Sequence, residues 1–436
     1  MTVRGTARKL SAVPVDRRAV LTCVALFAAA QILFLIHLGT PTGLNFDESH
    51  YVPAARQFLD SHTDPNREHP PLGKILIAAG IALLGDRPLG WRVMSTVFGA
   101  LTLVGMYVWA RALFKDRALV PSKVEGLALW TALVTLVNHL LYVQARIAML
   151  DTFMFAFLAW AAAAVTAIWD VDIAPERRRR CLALTGVMLG LAMATKWFAV
   201  VAWVACLGLV VAARSLLMSQ IGATYGELAR YLVVYPLLVY FLCFVPRMVG
   251  EHQGPWYAAP VDFLNMQVGM YQGQINVPGQ HPYMSRWYQW PLLNRPMWYA
   301  FERDGGNVHG VLLVGNPLVM WGGVLALVYC AIDWLRRRSR QSFLILFFYL
   351  SFFLSWVVIP RRLSLYYYYY PAGMILSFAL AHALRDRAPR AGRYRVARWA
   401  FLVAATGVFV YFLPVLSGSP IGSDEFRKWM WFQSWI

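Results

Sequence analysis

Long uninterrupted apolar runs govern what this chain can fold into. They fall at about 19–38, 91–113, 124–145, 151–169, 181–195, 197–213, 229–246, 312–333, 341–359, 366–384 and 399–416. Runs of roughly 20 apolar residues match the hydrocarbon thickness of a bilayer. In hydrocarbon each backbone N–H and C=O needs an internal partner, so such runs are expected to be helices. With 59% hydrophobic and only 14% charged residues, the 436-residue chain lacks the polar surface of a soluble domain that long. An all-α polytopic membrane protein is the expected class. A twelfth run, about 75–85, is too short to span comfortably.

Charge distribution decides how the runs are threaded. The net charge of +18 is not a nucleic-acid footprint, because the basic residues sit in short clusters between apolar runs, such as Arg177 to Arg180 and Arg336 to Arg340. If run 75–85 stays at the interface and the other eleven cross, segments 1–18, 111–125, 170–180, 214–230, 333–340 and 385–398 share one side. They then hold 25 of the 40 Lys and Arg but 9 of the 22 acids, the bias expected of cytoplasmic loops. A crossing at 75–85, or one continuous span through Lys196-Trp197, would put later basic clusters on the opposite side from the first. The reading is eleven spans, N-terminus cytoplasmic and C-terminus external, with an interfacial helix at 75–85. Met1 to Arg18 carries five basic residues, and the first run leads into Asn45-Phe46-Asp47-Glu48 without a small-residue cleavage site, so the first helix reads as retained. Two sizeable external segments result, Gly39–Gly90 and Arg247–Val311.

The five cysteines lie in or beside apolar runs without metal-type spacing and read as small hydrophobes. No phosphate-binding glycine loop, HExxH helix or GxSxG elbow is present. The chemistry-bearing residues gather on the external side. Asp47-Glu48 opens a helix-like stretch. It reads either as a first-turn acidic cap or as a carboxylate pair able to act as a general base at the membrane surface. In His69-Pro70-Pro71-Leu72-Gly73-Lys74 the prolines suit a helix start, while Lys74 either snorkels or binds. Asp151 reads as a cap or a site carboxylate. Arg92, Arg146, Lys196, Arg361 and Arg362 are cations at the outer boundary, where the orientation rule does not favour them. As a set they suggest a site for an anion, and a lipid phosphate is the anion presented at that depth. The second external segment is rich in aromatics, either an interfacial belt or a platform for sugar rings. Five consecutive tyrosines, Tyr366 to Tyr370, cover all faces of a helix, so some hydroxyls must find partners inside the bundle.

The set Phe46-Asp47-Glu48, His69 to Lys74, Ala145-Arg146-x-x-Met149-Leu150-Asp151, Lys196-Trp197, His281-Pro282-Tyr283-x-Ser285-x-Trp287-x-x-Trp290-Pro291, Asn316-Pro317 and Arg361 with its tyrosines resembles the dolichol/polyprenyl-phosphate-mannose protein O-mannosyltransferase family. The order is the family's over nearly the whole chain. The resemblance implies a GT-C glycosyltransferase fold, a polyprenyl-monophosphate mannose donor, a Ser or Thr acceptor on a translocated protein, and inversion at the sugar. It implies Asp47 as base with Glu48 as its partner. The residues expected to bind substrate are His69, Lys74, Arg92, Arg146, Asp151, Lys196, Arg361, Arg362, Tyr367, His281, Trp287 and Trp290. Eukaryotic members carry a β-trefoil MIR insertion in the second external segment. Here that segment is about 65 residues and has no room for it, so the chain resembles the compact bacterial members. A monophosphate donor can be handled by Arg and Lys, so no metal is required, although Asp47, Glu48 and Asp151 together could hold a divalent ion. The plasma membrane is the expected location. Alternative readings are a GT-C transferase acting on a lipid or envelope glycan, and an anionic-lipid transporter or flippase. Charges at helix ends and the lack of an internal repeat disfavour the transporter.

Overall fold

The computed structural model describes residues 16–116, 120–170, 172–216, 222–277, 279–359, 361–386 and 391–436. Parts of the basic segments, 1–15, 117–119, 171, 217–221 and 387–390, lie outside the described residues.

The helices are α1 (Arg17–Leu35), α2 (Glu48–Ser61), α3 (Leu72–Leu84), α4 (Pro88–Phe114), α5 (Pro121–Leu136), α6 (His139–Gln144), α7 (Leu150–Ala167), α8 (Pro175–Thr195), α9 (Ala199–Leu216), α10 (Tyr225–Glu251), α11 (Ala259–Ile275), α12 (Pro317–Arg337), α13 (Arg340–Val358), α14 (Tyr370–Ala383) and α15 (Ala391–Ser417). Proline in the first turn starts α4, α5, α8, α12 and α14, where its missing N–H leaves nothing unsatisfied. Run 124–145 is broken at Asn138. Its backbone is extended and its side chain accepts from the Leu140 amide, ending α5 and capping α6.

Two ends of the bundle are distinguished by their contacts. At one end Arg111 pairs with Asp16 (2.7 Å) and Glu125 (2.6 Å), Lys115 with Asp170 (2.5 Å), and Arg179 with Glu227 (2.6 Å). At the other end meet the segments after α1, α6, α8 and α13. Among the described residues α1, α4, α5 with α6, α7 to α10, and α12 to α15 are the helical segments that correspond to the long apolar runs of the sequence. Seven helices, α1, α4, α7, α10, α12, α13 and α15, are long and apolar enough to cross a membrane. Helix α3 starts and finishes at one end: Lys74 in its first turn pairs with Asp64, and Asp86 just after it bonds Arg56 and Trp91. The short run therefore does not traverse the bundle, and the break at Lys196 to Phe198 is a turn between α8 and α9, as the charge pattern requires.

The sequence reading did not anticipate a small sheet. Strands β1 (Met297–Asp304), β2 (Asn307–Leu313) and β3 (Pro420–Gly422) form an antiparallel sheet in the order β1-β2-β3. Gly305 and Gly306, at φ 52° and 88°, make the hairpin turn that a side chain would strain. The first three residues of β1 and most of β2 are buried, so one part of the sheet packs into the core while the hairpin end is exposed.

The centre of the bundle is α7, 83% buried along its apolar window, against 22% for the peripheral α1. Its Ala156, Ala159 and Ala161 to Ala164 let neighbouring helices approach closely. Helices α8 and α10 are closer still: a Cβ on Gly186 would lie 1.9 Å from the Tyr231 carbonyl oxygen. Gly186→Leu is expected to destabilise the detergent-solubilised protein by at least about 1–3 kcal/mol, the usual range for overpacking. Gly407→Ala on α15, where a Cβ meets nothing within 4 Å, serves as the neutral control in the same thermal unfolding series.

Candidate active site

The turn after α1 carries the first acid, and it is pinned from two sides. Phe46 adopts a left-handed backbone (φ 47°), a conformation that costs a non-glycine residue about 1–3 kcal/mol. Its ring stacks on Tyr299 (5.4 Å) and meets His281 (5.8 Å) and Tyr367 (5.9 Å) edge-on. On the other side Glu48 is fully buried. Its carboxylate takes both Arg92 Nε and Nη2 at 2.8 Å and accepts from the amides of Asn45 (2.8 Å) and Ala148 (2.9 Å).

Held between these anchors, Asp47 points its carboxylate into a polar cavity of about 440 Å³. It makes no capping bond to α2, so the capping reading fails for it. Its Oδ2 instead accepts from the Tyr51 hydroxyl at 3.1 Å, one helical turn on. Burial pushes its pKa up to about 6, opposed by the positive charge of Lys196 and reinforced by Asp151. A carboxylate so placed is a competent proton acceptor near neutral pH. Asn66, Glu68, His69 and His281 share the same cavity. Burial, with Lys196 and Lys74 nearby, holds the His69 pKa well below its usual value, so its ring is neutral at neutral pH.

A second cavity of about 220 Å³ adjoins the first, and His69, Gln274, Arg361 and Tyr368 line both. Its wall is aromatic: Phe198 stacks on Trp356 (4.9 Å), and Trp356 on Tyr368 (4.3 Å). Its charged members are Arg361 and the pair Asp151 and Lys196, joined at 2.7 Å, with the Lys196 ammonium 4.8 Å from the Tyr367 ring centre. Arg361 donates to the Tyr368 hydroxyl at 2.6 Å and to the Gln274 carboxamide. A polar chamber and an apolar groove thus meet at one guanidinium. That arrangement suits a molecule with a polar head, an anionic junction and an apolar tail.

The structure divides the sequence-predicted residues. Asp47, His69, Asp151, Lys196, His281, Arg361 and Tyr367 line the two cavities. Seven do not, and most of these have partners within the protein. Both Glu48 oxygens are consumed, which leaves it no contact with a substrate. Its partner Arg92, also fully buried, donates in addition to the Leu38, Pro41 and Gly43 carbonyls. Arg146 donates to the Phe34, Ile36 and His37 carbonyls at and just beyond the end of α1 and lies over Tyr142. Lys74 is enclosed by Asp64, the Asn66 carbonyl (2.6 Å) and the His69 carbonyl (2.8 Å). Arg362 is exposed outside both cavities. Trp290 is fully buried with its indole N–H on Ser285, and Trp287 packs on Phe353. Among the described residues no three His, Cys, Asp or Glu side chains converge as a metal site, and the trio Asp47, Glu48 and Asp151 is split by its separate partners. Sequence reasoning missed Tyr51 and Gln274. The four-residue spacing from Asp47 to Tyr51 was the available signal for one; nothing local marks Gln274.

Comparison with known proteins follows the same lines. Residues 24–249 match the dolichyl-phosphate-mannose-protein mannosyltransferase family, and residues 260–435 match the C-terminal four-transmembrane region of protein O-mannosyltransferase. The polyprenol-phosphate-mannose–protein mannosyltransferase of Mycolicibacterium smegmatis is 27% identical over 97% of this chain and 94% of its own length. Its counterpart in Mycobacterium tuberculosis is 26% identical over 92% and 88%. The fold matches the S. cerevisiae protein O-mannosyltransferase Pmt1-Pmt2 complex bound to the sugar donor, at TM-score 0.81 and 14% identity over 97% of this chain and 93% of that one. It also matches ArnT from Cupriavidus metallidurans bound to undecaprenyl phosphate, at TM-score 0.61 and 18% identity over 89% and 70%. With a family match across more than half its length, this chain belongs to the dolichyl-phosphate-mannose-protein mannosyltransferase family, on a GT-C glycosyltransferase fold.

Proposed function

We propose that the chain transfers mannose from polyprenyl-phosphate-mannose to a Ser or Thr hydroxyl of a protein acceptor, with inversion at the anomeric carbon. The single observation that carries this is Asp47, raised to about 6, opening into a chamber that meets an apolar groove at Arg361. The curated relatives are named for this donor and acceptor class.

In the proposed reaction the acceptor hydroxyl gives its proton to the Asp47 carboxylate. Its oxygen forms a bond to the sugar C1 while the C1–O bond to phosphate breaks. The electron pair leaves on polyprenyl phosphate, whose charge faces Arg361 and Lys196. Tyr51 orients Asp47, and neutral His69 adds a hydrogen-bonding group without competing for the anion. No step is assigned to a metal. The whole chain acts as one transmembrane domain of eleven spans in the plasma membrane. Gly39–Gly90 and Arg247–Val311 are external and the basic end is cytoplasmic.

Four measurements test the proposal. Asp47→Asn keeps size and bonding but cannot take the proton, so transfer from a labelled donor is expected to fall about a hundred- to ten-thousandfold. Wild-type transfer should rise as pH increases through about 6, where Asp47 becomes ionised, and the residual rate of the Asn variant should lack that limb. Near-normal turnover in Asp47→Asn would overturn the base assignment. Arg361→Ala is expected to weaken polyprenyl-phosphate binding about ten- to hundredfold, the worth of a charge-assisted hydrogen bond, and Arg361→Lys should restore only part of it. Unchanged affinity in both would move the phosphate elsewhere. In a cysteine-free background, single cysteines at exposed Ser61 and Arg177 should label from opposite sides of sealed vesicles. Labelling from one side would sink the eleven-span arrangement.

A further inference from the structure

The basic end of the bundle holds a cavity of its own. It has a volume of about 370 Å³ and lies where the start of α5, the end of α14 and the start of α15 meet. Lys123, Arg385, Arg395 and Arg398 line it, with Asp386 as the one acid among the lining residues. Arg398 is used internally: it pairs with Asp386 at 3.0 Å and donates to the Leu384 carbonyl at the end of α14. Among the described residues Lys123, Arg385 and Arg395 have no carboxylate or carbonyl partner. Helix α5 also opens with no side chain capping its first amides, and Val120 and Ser122 border the cavity. The positive end of a helix dipole therefore adds to three unneutralised cations.

The walls show which anion this is built for. The Trp130 indole donates to the Arg398 carbonyl at 3.0 Å and ties α15 to α5. Trp399 stands half-exposed at the rim, where amphipathic rings mark a membrane boundary. Beyond it α15 presents Val403 and Val410 outward, each more than half exposed, on the flank that faces lipid. A soluble anion would gain nothing from that flank, whereas an acyl chain would lie along it. We infer that this cavity holds the headgroup phosphate of an anionic phospholipid of the surrounding bilayer. Lys123, Arg385 and Arg395 bind the phosphate and the α15 valines border the tail. The site is separate from the donor chamber, which lies at the other end of the bundle.

Native mass spectrometry of the full chain in detergent, titrated with phosphatidylglycerol or phosphatidylcholine, tests this directly. The triple variant Lys123→Gln, Arg385→Gln, Arg395→Gln is expected to lose about a hundredfold in phosphatidylglycerol affinity, at about fivefold per cation near a membrane surface. Its unfolding temperature should be unchanged, and its phosphatidylcholine binding, weaker from the start because the choline cation opposes the site, should fall less. Should the triple variant fail to fold, each single variant is expected to show its own fivefold loss. Removing equal charge nearby, by Arg177→Gln, Arg178→Gln and Arg180→Gln, should leave phosphatidylglycerol binding intact. Equal losses in both triple variants would mean diffuse attraction and overturn the site. So would inorganic phosphate binding that depends on the three cations while phosphatidylglycerol is not retained, since the cavity would then serve a free anion.

Discussion

The buried pair between Glu48 and Arg92 is the contact on which the rest of the site depends. It joins three places distant in sequence: the turn after α1, the first turn of α4, and the turn between α6 and α7 reached through the Ala148 amide. Two charges withdrawn from water are tolerable only when every lone pair and N–H is matched, because desolvation otherwise exceeds the Coulomb gain. Here the matching is nearly complete: the Glu48 oxygens take four donors, and Arg92 adds three backbone carbonyls. The pair therefore acts less as a source of stability than as a fixed point. Asp47 is the adjoining residue, so its direction is set by a neighbour that cannot move.

That division of labour explains why two adjacent acids have different fates. Successive side chains at the start of a helix point about a third of a turn apart. Glu48 turns into the bundle and is neutralised by a guanidinium. Asp47 turns into the chamber, loses water without gaining a full partner, and keeps a raised pKa. The strained backbone at Phe46 belongs to the same arrangement, held by aromatic contacts from β1, from the His281 segment and from the tyrosine run.

Much of the fold was legible in the sequence, because hydropathy and charge bias are averages over many residues. Run length marked the helices. The parity of basic clusters kept 75–85 from crossing and placed the turn at Lys196. The sheet was not legible: β1 is half exposed and lies in an aromatic stretch that also suits an interfacial belt, and β2 runs directly into an apolar run. In the site, Asp47, Lys196 and Arg361 were found because each sits beside a helix end with an unusual charge. The same signal also selected Arg92 and Arg146, and there it misled. A cation at a helix end is equally suited to the carbonyls left unpaired where α1 stops. Arg146 takes the Phe34, Ile36 and His37 carbonyls, and sequence alone does not say whether a phosphate or a backbone will be the acceptor.

Gln274 shows the converse limit. It lies on α11, more than eighty residues from Arg361, with no charge or periodicity to mark it. Yet its carboxamide faces Arg361 through its oxygen and the Glu68 carbonyl and His69 ring through its nitrogen. An amide can accept from a cation through its oxygen while donating to acceptors through its nitrogen. Placed where chamber and groove meet, it holds the Arg361 guanidinium in position while leaving its positive charge unneutralised. A carboxylate there would bind the arginine more tightly and cancel the charge that a phosphate needs. The site thus separates structural neutralisation, at Glu48 with Arg92, from a charge kept available for an anion, at Arg361.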